Sequence, residues 1–394
     1  LAVDVAPALD DPQPGVQVTA ATTLGLLGGT AGVPALVRVV GSRRDWAVRR
    51  EALLALARLD RTAYHAQVTP WANGGDWRDR ATAAEGAVRG SVAELTPFLS
   101  DRDPRVVETA LQAWAGAVEG PDPELVAAAR AALGRPDPMV RSVSADILGR
   151  AAAGRDVPAL VAAFHRARTD SFPDAALSAL GALAAIAHGP DSLAARGFLT
   201  TEPAPRDPLL KAWAEGSWPS LADRWGPSRP IVTGRALDDY RALARRYLVG
   251  PDSVANPKVI IEIVDRGNVP VQLFGSDAPL TVANFLRLVD QHYFDGLRWH
   301  RVVPNFVVQT GDPRGDGSGG PGWAIRDEIN RRRYAAGYVG MALSGPDTGG
   351  SQWFITLAPE PHLDGTYTIF GRITGGSTYL ARVTQGDVIR SIHR

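Results

Sequence analysis

The sequence predicts folding units of two classes, an all-α superhelical solenoid followed by a β-rich domain. A chain of 394 residues is too long for one ordinary hydrophobic core. Apolar residues recur at helical spacing as far as Trp225, whereas β-branched runs begin just after Pro257. This change of periodicity is the observation that separates the two units.

A short motif repeats within the helical region. The stretch Val-Pro-Ala-Leu-Val occurs at residues 33–37 and again at residues 157–161. Pro70, Pro97 and Pro123 divide this interval into four steps that average roughly 31 residues. Because Pro costs no hydrogen bond in the first helical turn, we expect each of these prolines to mark the start of a helix.

Aspartates mark a second, alternating set of helix starts. Asp45, Asp76, Asp103 and Asp137 each precede a run with helical spacing. Asp is a favoured N-cap because its carboxylate accepts a hydrogen bond from the first-turn amides and suits the helix dipole. Each run carries one apolar stripe, which an isolated helix pair could not bury but stacked pairs could. The pattern resembles HEAT-type repeats, so we expect a HEAT-like α-solenoid over residues 1–225.

Beyond Trp225 the composition changes again. The segment around it is rich in Pro and Trp, and the Trp content argues against a disordered linker. We expect an ordered connection over residues 226–255, with one helix from Ala236 to Leu248. The remaining part, residues 256–394, opens with two β-branched runs at 259–264 and 269–274 that predict a hairpin. Helical spacing over 278–291 follows, and strand signals then resume.

Composition excludes several classes of function. The chain has 42 Lys+Arg and 42 Asp+Glu, and this balance argues against general nucleic-acid binding. It has no Cys, and its seven His lack the spacing of metal ligands, so neither a metal nor a cofactor is predicted. No run reaches the ~18 apolar residues that a membrane span needs. Because the chain starts at Leu1 rather than Met, we expect an N-terminus that was truncated or processed.

Three motifs follow one another in the β-rich part, at residues 299–312, 340–355 and 361–371. Together they resemble the cyclophilin family of peptidyl-prolyl isomerases. The resemblance runs from about Pro257 to the C-terminus and implies a closed eight-stranded β-barrel with capping helices. It also implies Pro-containing polypeptides as clients. The variant of the third motif looks bacterial, so a soluble protein of the cell envelope, periplasm or cytoplasm is expected.

The resemblance assigns roles to eleven residues. Arg301 matches the catalytic arginine, Gln309 a residue that bonds the peptide and orients that arginine, and Phe306 a catalytic member of the proline pocket. For each apolar residue alone, a place in the barrel core is the better expectation, and only the joint match indicates a site. The substrate-binding positions are Val307, Ala342, Leu343, Gln352, Phe354, His362, Leu363 and Tyr367, of which Val307, Leu343, His362 and Tyr367 depart from the residues of animal members.

These residue types suit prolyl isomerisation. Rotation about the Xaa–Pro bond has a barrier of ~18–20 kcal/mol because amide resonance resists twisting. In the twisted transition state the proline nitrogen gains a lone pair, to which a guanidinium can donate a hydrogen bond. Three hypotheses remain: an active isomerase on a solenoid, a barrel that only binds proline segments, and a solenoid that grips a protein partner on its concave face with incidental isomerase activity.

Overall fold

A computed structural model describes residues 1–88, 90, 92–170, 173–228, 236–248 and 256–394. The chain divides into two compact units, one formed by Leu1–Leu59 together with Gly234–Arg394 and the other by Asp60–Thr233. Among the described residues, no helix is both long and apolar enough to cross a membrane.

Short helices make up the chain as far as Trp225. The Leu1–Leu59 part of the first unit contains α1 (Ala2–Val5), α2 (Pro14–Leu27), α3 (Val33–Val40) and α4 (Trp46–Leu59). The second unit holds α5 (Arg61–Ala72), α6 (Trp77–Ala87), α7 (Val92–Leu99), α8 (Pro104–Ala117), α9 (Pro123–Ala132), α10 (Pro138–Ala151), α11 (Val157–Ala167), α12 (Asp174–His188), α13 (Arg196–Thr201), α14 (Pro208–Ser217) and α15 (Pro219–Trp225). The predicted connecting helix is α16 (Leu237–Leu248). Short 3-10 turns occur at Ala6–Asp10, Gly154–Asp156 and Ser192–Ala195.

Most of the predicted aspartate caps are present. The carboxylates of Asp76, Asp103 and Asp137 each accept a hydrogen bond from a backbone N–H two residues on, at the starts of α6, α8 and α10. Asp45 also precedes a helix, α4, and its carboxylate reaches Arg266 of the β domain at 3.0 Å. Arg266 in turn donates to the carboxylate of Asp387 at 2.8 Å.

Two of the predicted proline positions are wrong. Pro123 begins α9, but Pro70 lies near the end of α5 and Pro97 lies inside α7. The start of α5 is set instead by Asp60, whose side chain accepts from the N–H of Ala63 at 3.0 Å. A proline late in a helix removes one backbone hydrogen bond, a loss that packing of the helix can offset.

Small residues bring the helices of the second unit close together. Helix α10 packs against both α8 and α12. A Cβ on Gly149 of α10 would lie 3.0 Å from the Cα of Ala182 on α12. The two helix backbones can therefore come this close because glycine has no side chain. The apolar stripe of α10, including Val140 and Leu148, is buried in this stack as the repeat pattern predicts.

The last part of the chain folds around one eight-stranded sheet. The strands are β1 (Lys258–Ile263), β2 (Gly267–Leu273), β3 (Arg301–Val303), β4 (Val307–Thr310), β5 (Tyr338–Met341), β6 (Trp353–Thr356), β7 (Ile369–Ile373) and β8 (Ile389–His393). The predicted hairpin is present as the antiparallel pair β1 and β2, and the predicted helix is α17 (Pro279–Asp290). The strand order is β3-β4-β6-β5-β7-β2-β1-β8. A 3-10 turn occurs at Pro361–Leu363 and a short helix, α18, at Ser377–Leu380.

Aromatic side chains fill the space between α17 and the sheet. Phe285 of α17 lies 5.7 Å from the ring of Trp353 and 5.4 Å from that of Phe370. Trp299 meets Trp353 edge to face at 5.4 Å. Edge-to-face contacts suit the quadrupoles of aromatic rings, and burial of such large rings anchors the fold. This core holds the strands β4 and β6, on which several of the predicted site residues lie.

The sheet has the form of a half-barrel with β3 and β8 at the two ends of the strand order. The segments before these end strands approach each other. Trp299 N–H donates to the carbonyl of Asp387 at 2.9 Å, and Ile389 N–H donates to the carbonyl of Leu297 at 2.8 Å. An isolated bridge between Arg298 and Val388 lies in the same place.

Candidate active site

Arg301 and Gln309 lie opposite each other on the β3–β4 hairpin. The tight connection includes Asn305, a residue type that tolerates the positive φ of 58° observed there. Arg301 is exposed, and its Nη1 donates to the Gln309 Oε1 at 3.2 Å. The hairpin register thus places the Arg301 guanidinium beside the side-chain amide of Gln309, which the sequence predicts to orient it.

Gln309 is held in its turn by Gln352, just before β6. The Gln309 Nε2 donates to the Gln352 Oε1 at 3.1 Å. The Gln352 Nε2 donates to the backbone carbonyls of Gly317 at 2.7 Å and Gly319 at 2.8 Å. In each glutamine the side-chain oxygen therefore accepts a hydrogen bond from one neighbour, and the NH₂ group donates to another. This amide relay (Gln309 and Gln352) connects the Arg301 guanidinium to the Gly-rich loop.

Asp312 organises that loop, and sequence reasoning missed this role. Its buried carboxylate accepts hydrogen bonds from the backbone N–H groups of Arg314 at 2.7 Å, Asp316 at 2.9 Å and Gly317 at 2.6 Å. Three donors satisfy the desolvated charge and fix the loop backbone. An Asp two residues after a strand-forming run and just before a Gly-rich stretch is the signal that could identify it.

His300 lies buried beside the same loop. Neither ring nitrogen makes a hydrogen bond of good geometry with a described residue, although the Gln352 amide is close enough to act on the ring. Burial lowers the pKa of His300, an effect that the charge of Arg301 adds to and those of Asp312 and Asp316 oppose. The imidazole is therefore neutral in the folded protein at neutral pH, one residue away from the guanidinium at the site.

Acidification is expected to destabilise the protein through His300. In the unfolded chain this histidine takes up a proton near its ordinary pKa of 6.5, whereas the folded state resists protonation until a lower pH. The unfolded state therefore binds more protons in that window, and the free energy of unfolding falls as the pH drops below about 6.5. Urea unfolding between pH 5 and pH 7.5 should show a shallower slope for His300→Gln than for the wild type. Equal slopes for His300→Gln and the wild type would contradict the assignment.

A separate apolar cluster lies next to Arg301. Six of the predicted residues come together in it, because β4, β6 and the 3-10 turn at Pro361–Leu363 converge there: Phe306, Val307, Ala342, Phe354, Leu363 and Tyr367. Four further members were not predicted: Phe274, Tyr334, Tyr338 and Ile369. We call these ten residues the apolar pocket cluster.

Aromatic rings set the walls of the cluster. The Arg301 guanidinium carbon is 5.5 Å from the centroid of the Phe306 ring, within range of a cation–π interaction. Phe306 stacks on His362 at 5.5 Å, and Phe354 meets Tyr367 edge to face at 6.0 Å. The Phe306 ring therefore contacts both the Arg301 guanidinium and the ring of His362, which is exposed at the edge of the cluster.

Gly340 on β5 makes room for Phe354. A Cβ at this position would overlap both the Phe354 ring and the hydroxyl of Tyr334, so no other residue leaves these rings in place. Leu343, by contrast, packs against the main core of the β domain rather than within the apolar pocket cluster. The structure thus brings the predicted polar and apolar site residues to one place and directs the Leu343 side chain elsewhere.

The part of the chain that holds these residues is similar to known proteins. Residues 258–392 match the family model described as cyclophilin type peptidyl-prolyl cis-trans isomerase/CLD. Over 130 residues the chain is 44% identical to peptidyl-prolyl cis-trans isomerase B of Bacillus subtilis (strain 168), covering 91% of that protein and 32% of this chain. The chain belongs to the cyclophilin family.

This cyclophilin is also 50% identical over 130 residues to a peptidyl-prolyl cis-trans isomerase of Synechococcus elongatus, covering 90% of it and 32% of this chain. The crystal structure of a cyclophilin type isomerase from Cryptosporidium parvum matches with 32% identity and a TM-score of 0.33, covering 35% of this chain and 96% of that one. Residues 4–89 match the HEAT repeats model. The predicted family and enzymatic activity are confirmed: the protein is a peptidyl-prolyl cis-trans isomerase with N-terminal HEAT repeats.

Proposed function

We propose that Arg301 is the catalytic residue of this isomerase. The observation that carries the proposal is the position of its guanidinium, fixed by Gln309 at 3.2 Å and lying 5.5 Å from the Phe306 ring. From this place it would donate to the proline nitrogen as that atom pyramidalises. The planar ground state offers no such lone pair, so the bond stabilises the transition state selectively.

The apolar pocket cluster supports a role in holding the proline ring. Val307, Phe354 and Leu363 are buried within it, and Phe306 is partly exposed beside the guanidinium. A proline seated on these side chains would lose water from its ring and bring its nitrogen towards Arg301. Ala342, Gln352, His362 and Tyr367 surround this place and would contact the flanking peptide. For Leu343 only the backbone is available for such a contact, since its side chain packs on the core.

Gln309 offers a test of this arrangement through the orientation of Arg301. Gln309→Leu keeps the side-chain size but removes the hydrogen bonds to Arg301 and to Gln352. We expect kcat/KM for an Ala-Pro peptide, measured by NMR exchange, to fall about tenfold, the order of one neutral or charge-assisted hydrogen bond.

The matched control for Gln309→Leu is Gln272→Leu. Gln272 lies on β2 and accepts from the Arg372 guanidinium at 3.2 Å, so it makes the same kind of bond on the same sheet outside the apolar pocket cluster. This variant should retain wild-type turnover. Equal losses in the two variants would show that Gln309 has no specific part in positioning Arg301.

We further infer that the eight strands close into a barrel. The hydrogen bonds from Trp299 to Asp387 and from Ile389 to Leu297 support this inference, because they join the segments before the two end strands. Closure would leave neither end of the sheet as a free edge.

We also propose that residues 1–225 form a HEAT-like arm, that residues 226–255 connect it, and that residues 256–394 form the catalytic domain. The family matches at residues 4–89 and 258–392 support HEAT repeats in the N-terminal part and a catalytic domain in the C-terminal part. The arm would bind Pro-containing clients or a protein partner. Holding a client near the active site would make its encounter with Arg301 intramolecular and raise the apparent affinity by ~10²–10⁴.

A further inference from the structure

Arg266, in the turn between β1 and β2, forms a bidentate ion pair with Asp387. Its Nε donates to Asp387 Oδ2 at 2.8 Å and its Nη2 donates to Asp387 Oδ1 at 3.0 Å, while the arginine side chain is 10% exposed. A bidentate pair fixes the orientation of both side chains as well as their separation. The same carboxylate accepts the backbone N–H of Thr384 at 2.8 Å, which closes the turn from Thr384 to Asp387. Arg266 therefore holds this turn in one position.

This turn supports the chain directly before β3. The N–H of Trp299 donates to the carbonyl of Asp387 at 2.9 Å, and the carbonyl of Trp299 accepts from the N–H of Gly386 at 2.9 Å. The Arg298 guanidinium adds a hydrogen bond to the carbonyl of Gly386, also at 2.9 Å. Both backbone groups of Trp299 are thus fixed by the turn, two residues before Arg301.

Arg301 depends on this support because of its place in the sheet. Strand β3 has three residues and lies at one end of the strand order, so within the described residues its ladder partner is β4 alone. Pairing with β4 places Arg301 opposite Gln309, but it supports one edge of the strand only. A strand residue advances by roughly 3.3 Å, so Arg301 lies about 7 Å along the chain from Trp299. A displacement of Trp299 would therefore also displace the Cα of Arg301.

Asp45, which precedes α4, makes a further contact with the Arg266 guanidinium. Its Oδ2 lies 3.0 Å from the same Nη2 that bonds Asp387. The position of Asp45 is set by the helix, because its backbone carbonyl accepts the N–H groups of Val48 at 3.1 Å and Arg49 at 3.2 Å. The positive end of the helix dipole also suits a carboxylate at this place. A continuous series of contacts thus leads from α4 through Arg266 and the turn to β3.

We propose that Arg266 is a positioning residue of the isomerase, and that the first HEAT repeats take part in this positioning through Asp45. The proposal rests on the proposed catalytic role of Arg301 and extends it. Arg301 supplies the donor, whereas Arg266 and Asp45 keep that donor where the proline nitrogen pyramidalises. A misplacement of about 1 Å can cost roughly 10²-fold in rate, so a support remote from the substrate can affect turnover strongly.

Arg266→Met tests the proposal in the full chain. The variant removes the bidentate pair, and we expect kcat for an Ala-Pro peptide to fall about tenfold with KM changed less than about twofold. The rate is measured by NMR exchange per folded molecule, with the folded fraction taken from circular dichroism. Arg266→Lys retains the charge without the planar guanidinium and should give an intermediate kcat. Asp45→Asn should lower kcat by about two- to threefold, the order of a partly exposed ion pair.

Arg80→Met is the matched control for Arg266→Met. Arg80 forms the same bidentate pair with Asp101 in the second unit, with Nε–Oδ2 at 2.8 Å and Nη2–Oδ1 at 3.0 Å, and its side chain is 9% exposed. Its loss should lower the stability of the helical unit without changing the kcat of folded molecules. The control for Asp45→Asn is Asp10→Asn, which removes an ion pair with Arg38 inside the first repeats and should also keep the wild-type kcat.

A double-mutant cycle with Arg301→Ala tests whether Arg266 acts through Arg301. If it does, Arg266→Met should lower kcat by less than about twofold in the Arg301→Ala background. Equal losses in the two backgrounds, or an Arg266→Met enzyme no slower than Arg80→Met, would overturn the proposal. If Arg266→Met does not fold, wild-type kcat in both Arg266→Lys and Asp45→Asn would overturn it. An Arg301→Ala enzyme of wild-type activity would instead overturn the proposed function.

Discussion

Arg301→Ala is expected to lower kcat/KM for an Ala-Pro peptide by about 10²–10³, the usual scale for loss of one transition-state donor. The guanidinium is exposed and contributes one side-chain hydrogen bond, to Gln309, so its removal should change the melting temperature little. A protease-coupled or NMR exchange assay measures the rate, and calorimetry measures the melting temperature. The loss should appear in kcat rather than in KM, since the planar ground state makes no bond to this donor.

The matched control for Arg301→Ala is Arg372→Ala. Arg372 is also an exposed strand arginine that donates to a glutamine on the neighbouring strand, in this case Gln272 of β2. It lies outside the apolar pocket cluster, and its removal should leave turnover unchanged. An Arg301→Ala enzyme as active as Arg372→Ala would refute the catalytic role.

Gly311→Ala is expected to lower the free energy of unfolding by more than about 3 kcal/mol, combining backbone strain with a steric clash. Gly311 follows β4 with φ at 88°, a region that favours glycine, and a Cβ there would overlap the carbonyl oxygen of Ser351. Because that oxygen belongs to the backbone just before Gln352, the clash cannot be relieved without moving the amide relay. Urea unfolding measures the loss, and activity should fall with it.

Gly365→Ala isolates the contribution of backbone strain. Gly365 also has a positive φ, 70°, but a Cβ there would meet nothing within 4 Å. The expected loss is about 1 kcal/mol, from the left-handed conformation alone. If Gly311→Ala cost no more than Gly365→Ala, close approach of the chain to Ser351 would not be the reason for glycine at 311.

The relative positions of several candidate-site residues could be predicted because these residues lie on short, regular strands with recognisable motifs. Arg301 and Gln309 are eight positions apart on a hairpin, and their pairing follows from strand register. Tyr334 could not be predicted in the same way. It comes from an irregular segment before β5, and only the tertiary fold brings its ring to 5.6 Å from Phe354.

In the helical part too, features set by neighbouring residues could be predicted, whereas features set by tertiary packing could not. Asp76, Asp103 and Asp137 cap helices through local hydrogen bonds, so their role could be read from the sequence. The prediction fails at Pro70 and Pro97 because packing lets a helix continue through a proline where local rules predict a start. Arg266, the ion-pair partner of Asp45, lies more than two hundred residues away in the turn between β1 and β2, so no local sequence pattern could predict the pair.

The ion pair between Asp45 and Arg266 joins the start of α4 to the turn between β1 and β2. Arg266 is 10% exposed and shares its guanidinium between Asp387 and Asp45, so the cation is balanced by carboxylates from two distant parts of the chain. A deletion that removed the first repeats would leave Arg266 with one carboxylate and would expose its surroundings to solvent. We therefore expect the charge of Arg266 to be less well balanced in a β domain without the first repeats, unless another carboxylate replaces Asp45.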